Sequence, residues 1–447
     1  MIHNLSCISS IDGRYYNYTK NLNHYFSEFS LFKYRLLIEI TYLLYLKDIH
    51  LDELKDFTDN NCTIIKNIYQ NFTLEDCIAI KKIEENINHD VKALEYFIQN
   101  KFDTFGLSKF KSFIHFGLTS QDINNNSIIL SIKDCIEFTI IPLLETILSN
   151  LLKKSQLWNK IIMISHTHGQ PAVPTTLGKE IKVFYYRIHK QLELLKNIKY
   201  YGKFGGATGN LNAHYAAYPN YNWDELMDTF LEYFQLTRNK YTTQIDNYDD
   251  LSVIFDNFKR INTIFIDMNK DIWHYISINY IIQKFDNIEV GSSTMPHKIN
   301  PINFENSEGN LLLANSLLNF MSEKLPISRL QRDLTDSTIT RNIGSIFGHM
   351  LIAYQNFITG FNKLDANVSL IKKELHTNCV VIIEGIQVIL KKHGIYNSYE
   401  LCKDLTRNND IITMNDITEF IKNLDIEEHI KNELYQINVE NYIGNII

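Results

Sequence analysis

A chain of 447 residues exceeds what one hydrophobic core usually serves, so two or three domains are expected. Apolar residues at 45% and charged residues at 21% are ordinary for a globular protein, and a net charge of −7 argues against a general nucleic-acid binder. Six scattered cysteines with no CxxC pair argue against a disulfide or zinc framework and for a reducing compartment, while no signal-peptide core and no run of 18 apolar residues is present.

Residues 1–20 are polar, and Asp12-Gly13-Arg14-Tyr15 reads as a turn presenting a cation and a phenol. Over 26–48, Phe29, Phe32, Leu36, Leu37, Ile40, Leu43 and Leu44 fall near helical spacing. Helical patterns continue over 63–72, 74–87 and 89–101, with no proline before Pro142. Asn88-His89-Asp90 sits where a loop meets a helix, and a histidine there reads first as a cap. The pattern breaks near 107–115 and resumes after His115-Phe116-Gly117-Leu118-Thr119-Ser120-Gln121-Asp122. Thr119 with Asp122 predicts a capping box whose exposed first turn favours an anion, although capping by itself accounts for Thr119.

A long helix is predicted over 123–160, kinked at Pro142, and others over 175–200, 248–285, 300–325 and 336–362. Helices of about 25 residues run roughly 35–40 Å, so partner chains are expected to complete a bundle. The expected fold is all-α with three mainly helical domains: N-terminal at 1–111, a central long-helix bundle at 112–364, and C-terminal at 365–447.

Four stretches carry chemistry. In IIMISHTHGQP at 161–171, a short apolar run meets His166 and His168, an HxH pair like that of a zinc hydrolase barrel, but the helical patterns downstream do not supply the repeating βα units such a site needs. GKFGGATG at 202–209 holds four of the seventeen glycines, yet lacks the GKS or GKT ending and the preceding strand of a phosphate loop, so a flexible connection is expected. GSSTMPHKINPINFEN at 291–306 places two hydroxyls after a glycine, then a proline-bounded turn with a cation, then Asn300-Pro301 as an N-cap and first helical residue. Such a loop can gather hydroxyls, a fixed cation and free amides around one anion, and it is expected to close on substrate; an ordinary interhelical connection would look similar. Finally, three of only nine arginines, Arg329, Arg332 and Arg341, fall within thirteen residues, which suggests bidentate recognition of phosphate or carboxylate, a solvated ion-paired face being the alternative.

DGRY at 12–15, NHDVKA at 88–93, HFGLTSQDINN at 115–125, THGQP at 167–171, GNLNAH at 209–214, GSSTMPHK at 291–298 and QRDLTDST at 331–338 occur in the order typical of one family. The chain resembles the adenylosuccinate lyase family of the aspartase/fumarase superfamily, especially its bacterial-type branch. His297 after Met295-Pro296 matches that family, where fumarase and aspartase usually carry glycine and argininosuccinate lyase usually glutamine. The resemblance implies three helical domains and a cytoplasmic homotetramer with sites shared between chains. It implies no obligatory metal or organic cofactor, and neither nucleic acid nor membrane as partner. The implied reactions are β-elimination of fumarate from adenylosuccinate, giving AMP, and from the succinylcarboxamide ribotide SAICAR, giving AICAR. By the same resemblance Ser292 is the base, His168 the acid, Lys298 the stabiliser of the alkoxide, and Glu305 the carboxylate that could hold His168 charged. Ser293 competes with Ser292 on chemistry alone. Arg14, Tyr15, Ser337 and Arg341 would serve the phosphate. Thr119, Ser120, Lys298, Asn300 and Gln244 would serve the succinyl group, with Arg332 between the two ends and Asn88, His89 and Asp90 on the nucleotide side. His115 is expected to act locally. Argininosuccinate lyase, aspartase and a non-catalytic helical scaffold are the rival functions.

Overall fold

Helix termini show why these segments fold as they do in the computed structural model, which describes residues 4–284, 295, 298–407 and 412–445. Helix α1 (Glu28–Asp48) starts behind Ser27, whose hydroxyl accepts from the Ser30 amide at 3.1 Å. Helix α2 (Leu74–Ile87) starts at a Thr73/Asp76 capping box and ends at Asn88, which takes the left-handed conformation with φ 53°. Helix α3 (Asp90–Thr104) follows at once, its N-cap being His89, whose Nδ1 accepts from the Lys92 amide at 3.1 Å. Next come α4 (Ser120–Cys135) and α5 (Ile141–Leu157). The kink expected at Pro142 takes the form of a π-helical turn, Ile136–Ile140. Pro142 has no amide to donate, and the widened turn before it absorbs the break in the ladder.

A hairpin follows, β1 (Ile162–Thr167) antiparallel to β2 (Gln170–Thr176), with its register running from Ile162↔Thr176 to Thr167↔Gln170. Long helices α6 (Leu177–Lys196), α7 (Asp249–Ser277) and α8 (Ile302–Lys324) succeed it. The expected 336–362 helix is divided into α9 (Thr335–Thr340) and α10 (Ile343–Asn362). At the break the Asn342 side chain donates to the Thr338 carbonyl at 3.2 Å, a local bond that competes with helix continuation. Shorter helices occupy Val368–Thr377, Ile383–Lys392, Ser398–Arg407, Met414–Asn423 and Glu428–Tyr435. The fold is all-α, with three two-stranded sheets among the described residues.

The chain divides into two units, each discontinuous in sequence: Met1–Leu144, Gln191–Thr263 and Gly309–Gln355 form the first, and Glu145–Lys190, Ile264–Glu308 and Asn356–Ile447 the second. In the first, α1 packs on α4 and buries Phe32, Leu36, Ile40 and Leu43, each worth roughly 1.5–3 kcal/mol on leaving water. The 202–209 segment, expected as a flexible connection, is built into this core: Lys203 and Phe204 are buried, and the amides of Gly205 and Gly206 donate to Asp122 at 2.9 and 3.1 Å. In the second unit the hairpin root is held by Ile164, which joins Leu375, Ile382, Ile386, Leu390, Ile417, Ile421 and Leu434 in one apolar cluster. Among the described residues no helix is long and apolar enough to cross a membrane, and no group of three His, Cys, Asp or Glu side chains could hold a metal ion.

Candidate active site

In the first unit a cavity of about 590 Å³ gathers residues from remote stretches of the chain. Asn88, His89 and Asp90 enter from the α2–α3 junction, Ser120 and Gln121 from the first turn of α4, and Arg332, Ser337 and Arg341 from the segment around α9. The α2–α3 junction puts them there because a left-handed residue followed by an N-cap turns the chain sharply. His89 is therefore both the cap expected of it and a cavity residue.

Thr119 is the N-cap of α4, and its amide donates to Asp122 at 2.8 Å. The opposite side of that carboxylate meets Lys203 at 2.7 Å, so the first turn of α4 is anchored by a fully buried ion pair. Ser337 is a junction: its hydroxyl lies 3.4 Å from both Gln121 Nε2 and Arg332 Nη2. Arg332 also donates to Gln244 Oε1 at 3.1 Å, while its buried Nε has no hydrogen-bond partner among the described residues. Asp90 accepts from Arg35 at 2.7 Å. Burial pushes the Asp90 carboxyl up, but the Arg35 guanidinium, the Val91 amide and Arg341 more than offset this and hold it below the usual carboxylate range.

Other expected residues of this unit do not line the cavity. Arg14 stacks over the Tyr15 ring at 5.9 Å in a turn closed by the Gly13 and Tyr15 amides, and Gln244 reaches the site only through Arg332. His115 lies in left-handed backbone, φ 56°, with Nδ1 2.6 Å from Glu39 and Nε2 3.9 Å from Glu95. Burial opposes its charge, yet Glu39 and Glu95 prevail and raise its pKa. Arg35 and Glu28, both lining the cavity, were missed by the sequence reading. Their signal was faint: a lone arginine set among Leu31, Phe32, Leu36 and Leu37, where a helix turned to a core has no use for an unpaired cation.

The second unit holds the other expected residues. His168 and Gly169 are the two central residues of the β1–β2 turn, at φ 54° and 73°, the pairing that a two-residue hairpin turn requires. A non-glycine residue in that region is strained, and here the strain presents an exposed imidazole at the hairpin tip. Lys298 and Asn300 lie in the irregular segment before α8, where the Lys298 amide donates to the Met295 carbonyl at 3.0 Å. Glu305, on the first turn of α8, accepts from Trp273 Nε1 at 3.1 Å; among the described residues His168 has no hydrogen-bond partner, Glu305 included. Ser292 and Ser293 lie outside the described residues.

The sequence matches two family models, Lyase over residues 13–314 and Adenylosuccinate lyase C-terminal over residues 328–443. It is 47% identical to the adenylosuccinate lyase of Dictyostelium discoideum, covering 99% of this chain and 97% of the relative, and 40% identical to that of Escherichia coli, covering 100% and 98%. By fold it is similar to the 3-carboxy-cis,cis-muconate lactonizing enzyme from Pseudomonas putida (TM-score 0.73, 16% identity, 96% of this chain and 95% of that one). It is likewise similar to a fumarate lyase from Mesorhizobium sp. BNC1 (TM-score 0.72, 14% identity, 95% of each chain). With two successive family models and full-length relatives at this identity, the chain belongs to the adenylosuccinate lyase family and is a lyase.

Proposed function

We propose that this protein is an adenylosuccinate lyase of purine nucleotide biosynthesis in the cytoplasm, releasing fumarate from adenylosuccinate to leave AMP and from SAICAR to leave AICAR. The observation that carries the reading is the convergence of Asn88, His89, Asp90, Ser120, Arg332, Ser337 and Arg341 on one cavity, from stretches that nothing but a shared ligand requires to meet. The substrate, with a phosphate and two carboxylates, carries close to four negative charges near neutrality. A chain of net charge −7 must concentrate cations to hold it, and Arg332 and Arg341 do so here, with Arg14 assigned to the phosphate end by family resemblance.

In the elimination, the Ser292 alkoxide removes the proton from the succinyl carbon β to nitrogen, and the electron pair passes into an aci-carboxylate. Collapse of that anion forms the carbon–carbon double bond of fumarate and expels the nitrogen, which takes its proton from the His168 imidazolium. Lys298 and loop amides would hold the alkoxide, for a serine hydroxyl is a poor base without such support. Thr119, Ser120, Gln244, Ser293 and Asn300 would bind the succinyl end, Tyr15 the phosphate end, and Glu305 would keep His168 protonated. The acid contributes about 10²–10⁴ in rate when positioned.

A homotetramer with sites shared between chains fits α8, where Ile302, Leu312, Leu313 and Phe320 are exposed on a helix whose other sides bury Phe304, Leu311, Leu318 and Met321. A helix with large apolar side chains on its exposed side as well as its buried one suits the inside of a bundle, and further copies of the chain would provide it.

Incubating the pure protein separately with adenylosuccinate, argininosuccinate and aspartate, and following fumarate absorbance, tests the reading. Fumarate is expected from the first alone; release only from another substrate, or from none, overturns it. Ser292→Ala is expected to abolish turnover while binding persists, and activity within a few-fold of wild type would remove Ser292 as base.

A further inference from the structure

Six side chains of the first unit form a row of alternating charge, and all but Lys81 line the cavity. From its buried end, Arg35 Nη2 lies 2.7 Å from Asp90 Oδ2, and that oxygen also faces Arg341 Nη2 at 3.5 Å. Arg341 Nη1 is 3.5 Å from Glu28 Oε2, and the other Glu28 oxygen meets Lys81 Nζ at 3.3 Å. Lys81 ends the row by pairing with Glu84 at 2.7 Å. The spacing is uneven: Arg35 is held at 2.7 Å by Asp90 and Lys81 at 2.7 Å by Glu84, whereas Arg341 is shared between Glu28 and Asp90 at 3.5 Å each. Arg341 is also the most accessible member, its side chain 51% exposed against 42% for Glu28, 40% for Lys81 and 4% for Arg35.

The two flanking cations rest on one support. The buried Phe32 ring has the Arg35 guanidinium 5.3 Å and the Lys81 ammonium 5.9 Å from its centroid. Glu28 opens α1, where the helix dipole favours its negative charge, and Asp90 does the same for α3. Both carboxylates are thus fixed, and each has a cation besides Arg341. Asp90, 21% exposed, would be costly to leave without any cation, and Glu28, 42% exposed, less so; neither is left without one when Arg341 departs. Arg341 can therefore turn toward an incoming anion while Asp90 keeps Arg35 and Glu28 keeps Lys81.

We propose that Lys81 and Arg35 are positioning residues that keep Glu28 and Asp90 neutralised, so that Arg341 is handed from these two carboxylates to the phosphate of an incoming nucleotide. This deepens the proposed function and rests on its assignment of Arg341 to the substrate. Both act through the carboxylates: Lys81 lies outside the cavity lining, and Arg35, 4% exposed, is turned to Asp90.

Calorimetric titration of the full chain with AMP tests the hand-over without requiring turnover. In Lys81→Met, Glu28 is left with Arg341 alone and grips it, so the Kd for AMP is expected to rise about two- to five-fold. Adding Glu28→Gln to Lys81→Met releases Arg341 and should return the Kd to the wild-type value or below, while Lys81→Arg should bind as wild type does. A general structural role for Lys81 would not be corrected by Glu28→Gln. An unchanged Kd in Lys81→Met, or a rise that Glu28→Gln fails to reverse, overturns the proposal and leaves the proposed function standing; wild-type protein that binds no AMP overturns both.

Discussion

Lys203 is surrounded by protein on every side, and its ammonium neutralises Asp122 at 2.7 Å while donating to the Gly206 carbonyl at 2.6 Å. Replacing it by methionine leaves Asp122 buried without its counter-ion, and a loss of about 3–5 kcal/mol of stability is expected in denaturant titrations. The glycine-rich segment thus does bind an anion, but the anion is a side chain of the same protein. No spacing rule reveals such a pairing, because Asp122 and Lys203 are brought together only by the packed fold. His214 is a second buried group with a measurable signature. Tyr42 donates to the Phe116 carbonyl at 3.0 Å and lies 2.8 Å from His214 Nε2, so the imidazole donates there and its buried Nδ1 has no partner among the described residues. Burial lowers its pKa to about 4. A neutral imidazole contributes its full stability above the ordinary value near 6.5, and that contribution falls away as the pH drops toward 4, by about 3 kcal/mol in all. His214→Gln should therefore lose less melting temperature than wild type between pH 7 and pH 5; an equal loss in both would show that other groups govern the acid limb. His115, whose pKa is raised, works in the other direction, supporting the fold at low pH and ceasing to do so as the pH rises past its folded value.

Among the elements, helices announced by apolar spacing and by caps were legible to within a few residues, as α1, α2, α3, α6 and α8 illustrate, whereas the helix expected over 248–285 ends at Ser277 and gives way to a short strand at Ile281–Gln283. Where the reading slipped, a local competitor was responsible: Pro142 converted a kink into a π-helical turn, and Asn342 divided a helix. The hairpin β1–β2 was only half visible, because Pro171 and Pro174 in β2 are unusual in a strand and are tolerated here in a sheet of two strands. The approach of α5 to the start of α6 was invisible. A Cβ on Gly178 would meet the Ser155 carbonyl oxygen at 2.2 Å and the Asn159 amide nitrogen at 2.5 Å, both backbone atoms that cannot step aside. Gly178→Ala is expected to lower stability by about 1–3 kcal/mol, read by thermal unfolding, even though alanine is the better helix former. A neutral or stabilising effect would mean that the two segments separate freely.

At the scale of the molecule, motif order pointed to the family, whereas the cavity's composition was only partly legible. Seven of the residues named from sequence line it, and Glu28 and Arg35 join them because α1 presents one face to it at i and i+7. The apolar residues exposed on α8 carry the prediction for assembly: if the proposed tetramer forms through them, Leu313→Asp or Phe320→Asp should shift the species seen in sedimentation to smaller forms and abolish turnover. A tetramer that persists in both variants would place the interface elsewhere. The discontinuous make-up of each unit bears, finally, on synthesis. The first unit takes its last stretch from Gly309–Gln355 and the second from Asn356–Ile447, so a growing polypeptide on the ribosome cannot finish either half until most of it has been translated. Ile164 emerges early and finds its apolar neighbours only after Leu375 and the helices beyond it have followed. Nascent chains arrested before that point should remain sensitive to protease across residues 145–190, and the cell must shield them from aggregation for nearly the whole of elongation.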